Sequence, residues 1–163
     1  MKHTTKTGMT YEVKAYRELK TRNGYAFTYT LWIDGKPACS VEDRGDGGAL
    51  WVDWRVSGAT GMWDTAGSAA ATKALRHIAT LPPITDPKYP PLKVDMELWL
   101  GGLAEEFVND RRFGRLCKTK TVYRVEGDED GRWLVASRAY TPAFAEELRA
   151  KAKAVEFWNE RSL

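Results

Sequence analysis

Residues 23–33 read "NGYAFTYTLWI". The Asn23-Gly24 pair is a strong hairpin signal, because both central residues of a type I′ turn need positive φ. Behind it the chain alternates. Tyr25, Phe27, Tyr29, Leu31 and Ile33 fall on one side, and Ala26, Thr28, Thr30 and Trp32 on the other. Successive side chains of a strand point to opposite faces, so this period of two predicts a strand with one buried side. Upstream, "TYEVKAYRELK" (10–20) alternates as well, with Tyr11, Val13, Ala15 and Leu19 on its apolar side. Downstream, "DGKP" (34–37) is a turn and "ACSVE" (38–42) a short strand. "RGDGG" (44–48) is a further turn, leading into "ALWVDWRV" (49–56). There Leu50, Val52, Trp54 and Val56 oppose Trp51, Asp53 and Arg55. Strands joined in sequence by short loops predict an antiparallel meander.

Beyond Ser57 the texture changes to alanine-rich spacing, and residues 65–80 read as a helix with Leu75, Ile78 and Ala79 in its apolar stripe. Residues 81–91, "LPPITDPKYPP", hold five of the seven prolines, which excludes a helix and predicts an ordered connector. A second helix starts after Asp95, a suitable N-cap, with Met96, Trp99, Leu100, Leu103 and Phe107 at steps of three and four. Gly101 and Gly102 weaken it by about 1 kcal/mol each against alanine, so a close approach is expected there. "KTVYRV" (120–125) and "RWLVAS" (132–137) flank a polar turn and predict a hairpin. Thr141-Pro142 then opens a third helix, and "VEFWNERSL" (155–163) alternates as a final strand would. The expected architecture is α+β: about four N-terminal strands and a C-terminal hairpin, packed against two to three helices in a single domain spanning 1–163.

With 163 residues the chain can bury roughly two-thirds of its unfolded surface. Apolar residues are 43% and charged residues 29%, ordinary for a folded domain. Seven Trp, seven Tyr and five Phe are an unusual aromatic load, to be packed or presented at an interface. No apolar run reaches the roughly 18 residues of a membrane span, and the first residues lack the apolar core of a secretory signal. Cys39 and Cys117 fit free thiols in a reducing compartment, so a cytoplasmic address is expected. The formal charge of +3 is too small to argue for nucleic acid unless the cations cluster.

Candidate sites follow from local chemistry. Gly45, Gly47 and Gly48 would permit a nest of backbone N–H groups for a phosphate, which makes a nucleotide-binding protein or small enzyme one alternative. Yet they lead into a strand and lack the lysine of a phosphate loop, so a structural turn is the preferred reading. "RRFGRLCKTK" (111–120) gathers Arg111, Arg112, Arg115, Lys118 and Lys120 at a helix end. Cations there complement the helix dipole; read functionally, they are a nucleic-acid patch that Arg124, Arg132 and Arg138 would extend, with Tyr123 and Trp133 as stacking surfaces. "VEGDEDG" (125–131) is a solvated hairpin tip rather than a calcium site. His77 stands on a helix, with His3 near a mobile end, and Glu105-Glu106 on a helix face is normally solvated. No catalytic residues, cofactor or metal are expected. The outward set of the strands leaves Trp32 and Trp51 exposed unless a helix covers them. Exposed indoles beside Arg55, Asp43 and Asp46 have the composition of a protein interface. A non-enzymatic protein-binding module is therefore the leading expectation, with nucleic acid as the alternative partner and no membrane association.

Asp34, Gly35 and Lys36, then Gly45, Gly47 and Gly48, then Asn159 and Glu160 form a recurring order: a D-G-K turn, a short strand, a G-x-G-G turn, and N-E near the end. In this the chain resembles a loose group of small accessory proteins encoded by phages and other mobile elements. The resemblance implies a host-cell cytoplasmic setting and, by class, a stoichiometric inhibitor of a host defence protein of the anti-CRISPR kind.

Overall fold

The alternating runs do fold as a meander. In the computed structural model, which describes residues 2–5, 8–22, 24–54, 68–86, 88–128 and 132–161, five strands follow one another in space as in sequence. They are β1 (Lys2–Thr4), β2 (Thr10–Thr21), β3 (Gly24–Ile33), β4 (Lys36–Asp43) and β5 (Trp51–Trp54), all antiparallel. The architecture is α+β, as the two hydrophobic periods predict. β1 is an addition to the expected strands. It places His3, expected in a mobile end, opposite Tyr11, with the two rings stacked 5.0 Å apart.

The pleat decides what is buried. Tyr29, Leu31 and Ile33 of β3 meet Cys39 and Val41 of β4 and Val52 and Trp54 of β5 on one face, all of them buried. Each large apolar side chain removed from water in this way contributes roughly 1.5–3 kcal/mol. β2 departs from the simple alternation. Its register shifts between Lys14 and Arg17, and Ala15 takes φ 53°, in the left-handed region. An extra residue inserted into one strand turns every later side chain over. Tyr16, not Ala15, consequently packs towards the core, and Leu19 is left 71% exposed. The expected apolar set Tyr11, Val13, Ala15 and Leu19 thus holds only as far as Val13.

Two helical segments cover that buried face. α1 (Ala69–Ile78) starts at Ser68, whose hydroxyl accepts from the Ala71 N–H, and it buries Ala71, Ala74 and Ile78. The part of the expected helix that precedes Ser68 lies outside the described residues. α2 (Met96–Leu116) is capped by Asp95 as expected, its carboxylate accepting from the Leu98 N–H at 2.9 Å. Trp99, Leu100, Leu103 and Ala104 of α2 complete the core. Tyr29 anchors it to the sheet, its buried hydroxyl donating to the Leu100 carbonyl at 2.8 Å. Between the helices, the proline-rich connector forms a small hairpin of β6 (Ile84–Asp86) and β7 (Tyr89–Leu92). Gly101 and Gly102 correct a further expectation: a Cβ added at either would meet nothing within 4 Å.

The chain's contacts group into two compact units, residues 1–107 and 108–163. In the second, β8 (Thr121–Val125) lies between β9 (Leu134–Ala136) and β10 (Ala154–Phe157). The expected hairpin is β8–β9, and the expected final strand is β10. α3 (Pro142–Ala152) begins at Thr141, whose hydroxyl accepts from the Phe144 N–H, and ends at Lys153 in the left-handed conformation. Phe113, Val122 and Trp158 form one apolar cluster of this unit, and Ala145, Ala154 and Phe157 another. Asn159 ties its chain ends together. The amide oxygen accepts from the Val122 N–H at 2.9 Å, and the amide nitrogen donates to the carbonyls of Lys120 and Cys117 at 3.0 and 3.5 Å.

Asn159→Ala strips partners from three backbone groups, of which the Val122 N–H is buried, and leaving buried groups unpaired costs about 1–3 kcal/mol each. We expect a loss of about 3 kcal/mol in urea unfolding, with Asn159→Asp no better because it gives up the donor. A loss below about 0.5 kcal/mol would deny Asn159 its anchoring role.

Candidate functional site

On the reverse face of the five-stranded sheet the cross-strand register sets out three rows. Glu12, Trp32 and Pro37 form the first; Lys14, Thr30, Ser40 and Asp53 the second; Arg17, Thr28, Glu42 and Trp51 the third. Both helical segments of this unit pack on the opposite face, so neither covers these rows. Trp51 is 46% exposed and Trp32 half-buried. Each indole carries a cation on its ring. The Lys14 ammonium lies 3.9 Å from the Trp32 centroid and pairs with Glu12 at 3.2 Å. The Arg44 guanidinium lies 4.3 Å from the Trp51 centroid and pairs with Glu42 at 3.2 Å. Such contacts contribute about 0.5–1 kcal/mol at exposed positions. They are weak enough for a docking partner to replace.

Asp43 and Asp46, expected beside Trp32 and Trp51, are engaged within the glycine loop. Asp43 faces the helix-covered side, opposite Phe27, and its carboxylate accepts from the Gly45 N–H at 2.6 Å. Asp46 accepts from the Gly48 N–H at 2.9 Å. Arg55 lies outside the described residues. Both aspartates therefore brace the glycine loop by side-chain hydrogen bonds two residues on, the usual way Asp stabilises a turn. Gly45 and Gly47 take φ of 66° and 84°. Gly45 is also packed against the β2–β3 hairpin: its carbonyl accepts from the Thr21 hydroxyl, and a Cβ there would lie 2.8 Å from the Ala26 nitrogen.

The other residues of the phage-type pattern have comparable duties. Asp34 and Gly35, at φ 51° and 78°, form the β3–β4 turn. The Asp34 carboxylate pairs with Lys73 and accepts from the Thr10 N–H, and these contacts, Lys73 first, hold its carboxyl below the ordinary range. Glu160 accepts from the Tyr140 hydroxyl and, at 3.0 Å, from Arg149.

Arg111, Arg112, Arg115 and Lys118 are exposed, and Lys120 is half-buried, along the end of α2 and the turn after it. The aromatic surfaces expected beside them are taken. The guanidinium groups of Arg124 and Arg161 lie over the Trp133 ring, 4.4 and 5.0 Å from its centroid, and Glu156 pairs with both cations. Tyr123 stacks on Phe157. Arg138 lies over Phe144 and pairs with Glu147.

A separate groove of about 740 Å³ opens on the helical side of the first unit. Tyr11, His77 and Trp99 form one corner of it. The Tyr11 and His77 rings stand at 76° and 73° to Trp99, with centroids 5.6 and 5.8 Å away. Glu106, one helical turn beyond Gly102 and Leu103, lies on the same wall. Burial pushes the Tyr11 hydroxyl's pKa up, and the nearby Glu106 charge adds to this. Burial also pulls the His77 imidazole down from its ordinary 6.5. The groove joins residues far apart in the chain, and its only signal in the sequence is the i, i+3, i+7 spacing of Trp99, Gly102 and Glu106 on α2.

No metal-holding group of His, Cys, Asp and Glu occurs among the described residues, and no described helix is long and apolar enough to cross a membrane. No protein-family model, curated protein or solved structure matches the chain.

Gly45→Ala should cost at least about 2 kcal/mol, from the left-handed backbone and the overlap with Ala26 together. Gly47→Ala, with open space around its Cβ, should cost only about 1 kcal/mol. Equal costs in denaturant titration would remove the packing role of Gly45. For His77, a folded pKa below the unfolded one means that the unfolded chain takes up more protons, so stability is full above the unfolded value and falls as pH drops through it. His77→Gln should flatten this part of the stability–pH curve; an unchanged curve would show that burial of His77 is not coupled to folding.

Proposed function

We propose that the protein is a non-enzymatic protein-binding module that docks through the outer face of its five-stranded sheet, with Trp32 and Trp51 as anchors. The observation that carries this reading is the pair of indoles on a face that neither helical segment of the first unit covers, each topped by one cation with a carboxylate behind it. Indoles of this kind supply large rigid contact area at small entropic cost and dominate many interfaces. The surrounding Glu12, Arg17, Glu42 and Asp53 provide both signs of charge to fix the orientation of a partner and to exclude others. In the setting implied by the phage-type pattern, the partner is a host defence protein and the module its stoichiometric inhibitor. The nucleic-acid alternative draws on the exposed arginines of α2, but the engagement of Trp133 and Tyr123 within their own unit leaves it without a stacking platform.

The test compares the wild-type chain with Trp32→Ala and Trp51→Ala as baits in bacterial lysate, followed by titration of the recovered partner. Each substitution should weaken binding about 30-fold or more, the scale of a 2 kcal/mol hot spot, while the unfolding midpoint of Trp51→Ala stays near that of the wild type. Retention of the partner at full affinity by both variants, or its loss on nuclease treatment, would overturn the docking face.

A further inference from the structure

The groove walled by Tyr11, His77 and Trp99 carries an inference independent of the outer face. We infer that it is a binding site for a small organic cation, an ammonium group on an apolar body. The ammonium would sit in the aromatic corner beside the Glu106 carboxylate, and the body would lie along the apolar stretch that includes Ile84 and Leu98.

Three observations converge on this chemistry. The first is charge. Glu106 is half-buried in the groove wall, and among the described residues no side chain donates to it or pairs with it. Among the described residues it is the one acidic group on the lining, which includes no described Lys or Arg. A half-buried carboxylate without a partner favours a ligand cation, because the attraction between opposite charges rises as water is excluded. The second is the aromatic corner. Tyr11, with the His3 ring stacked on it, and Trp99, 6% exposed, line the groove together with that carboxylate, and aromatic rings attract ammonium groups most strongly when the site is desolvated. Burial and, after it, the Glu106 charge make the Tyr11 hydroxyl harder to ionise, which places the carboxylate's field at this corner. Burial favours the neutral form of His77, which lessens competing positive charge at the corner.

The third is room. Gly102 lines the groove, and a Cβ built on it meets no atom within 4 Å. Glycine inside a helix weakens it by about 1 kcal/mol against alanine, and no neighbouring group of the described chain needs the space it frees. Its effect is to leave the wall bare where the groove is lined by α2. The volume of about 740 Å³ falls within the usual size of small-molecule sites. Ile84 and Leu98 are 49% and 37% exposed, apolar surface that the body of such a ligand would cover.

The experiment uses the full chain and follows binding by calorimetry with benzyltrimethylammonium as the probe and 3-phenylpropanol, neutral and of similar size, as its counterpart. The ammonium should bind with a Kd on the order of 1 mM, as expected for a ligand of this size, and about tenfold more tightly than the alcohol. Glu106→Gln should remove most of that preference while leaving weak binding of both. Gly102→Leu, a change that favours the helix and fills the groove, should abolish binding of both. Circular dichroism and urea unfolding of each variant establish that it is folded, and the Glu106→Gln comparison decides the matter if Gly102→Leu is not. Equal affinity for the two probes, an unaltered preference in Glu106→Gln, or no saturable binding of the ammonium at tens of millimolar would each overturn the assignment.

Discussion

A pleated strand can bury only every second side chain, and most of the first unit follows from how that constraint is met. α1 and the first part of α2 cover one face of the meander and take Tyr29, Leu31, Cys39, Val41, Val52 and Trp54 out of water. The Tyr29 hydroxyl, fixed to the Leu100 carbonyl, locks the helix to the middle strand. Because the covered face is set by these contacts, the alternate positions have no choice but to look outward. Trp51 is exposed and Trp32 half-buried on the outer face through the burial of their neighbours in the chain, and the docking proposal is a consequence of the core.

The bulge at Ala15 shows how narrow this specification is. Without the extra residue, Leu19 would enter the covered side and Tyr16 would leave it. With it, Tyr16 reaches Phe27 and Phe107, at 6.0 and 5.0 Å between ring centroids, and extends the aromatic packing to the end of the sheet. The glycine loop makes the same point by a different route. Asp43, Gly45 and Thr21 close the loop against the neighbouring hairpin, so a segment that reads like a phosphate nest is occupied by its own chain.

What the sequence discloses and what it hides divide along physical lines. β3, β4 and β5 were legible because their period of two persists over several residues and their turns use Asp-Gly and Gly-rich pairs. Asp95 and Thr141 were legible as caps because the residue type matches a local need, the orphan N–H groups of a helix start. The bulge was not, since an alanine in the left-handed region carries no mark in the sequence. β1 and the β6–β7 hairpin escaped because three- and four-residue strands are too short to show a period, and prolines normally oppose strands. Asn159 escaped for another reason: its partners at Cys117, Lys120 and Val122 lie about forty residues away, and nothing local announces them. The groove is the extreme case, assembled from β1, β2, α1, β6 and α2 with one spacing on α2 as its trace.

The cations lying on Trp32 and Trp51 have one more effect, on the behaviour of the protein in concentrated solution. Lys14 and Arg44 give each indole a hydrophilic coat made of its own neighbours, held by ordinary charge attraction and therefore thinned by salt. A change that removes Lys14 or Arg44 bares an indole, so solubility and stickiness of this face depend on the same pair of side chains.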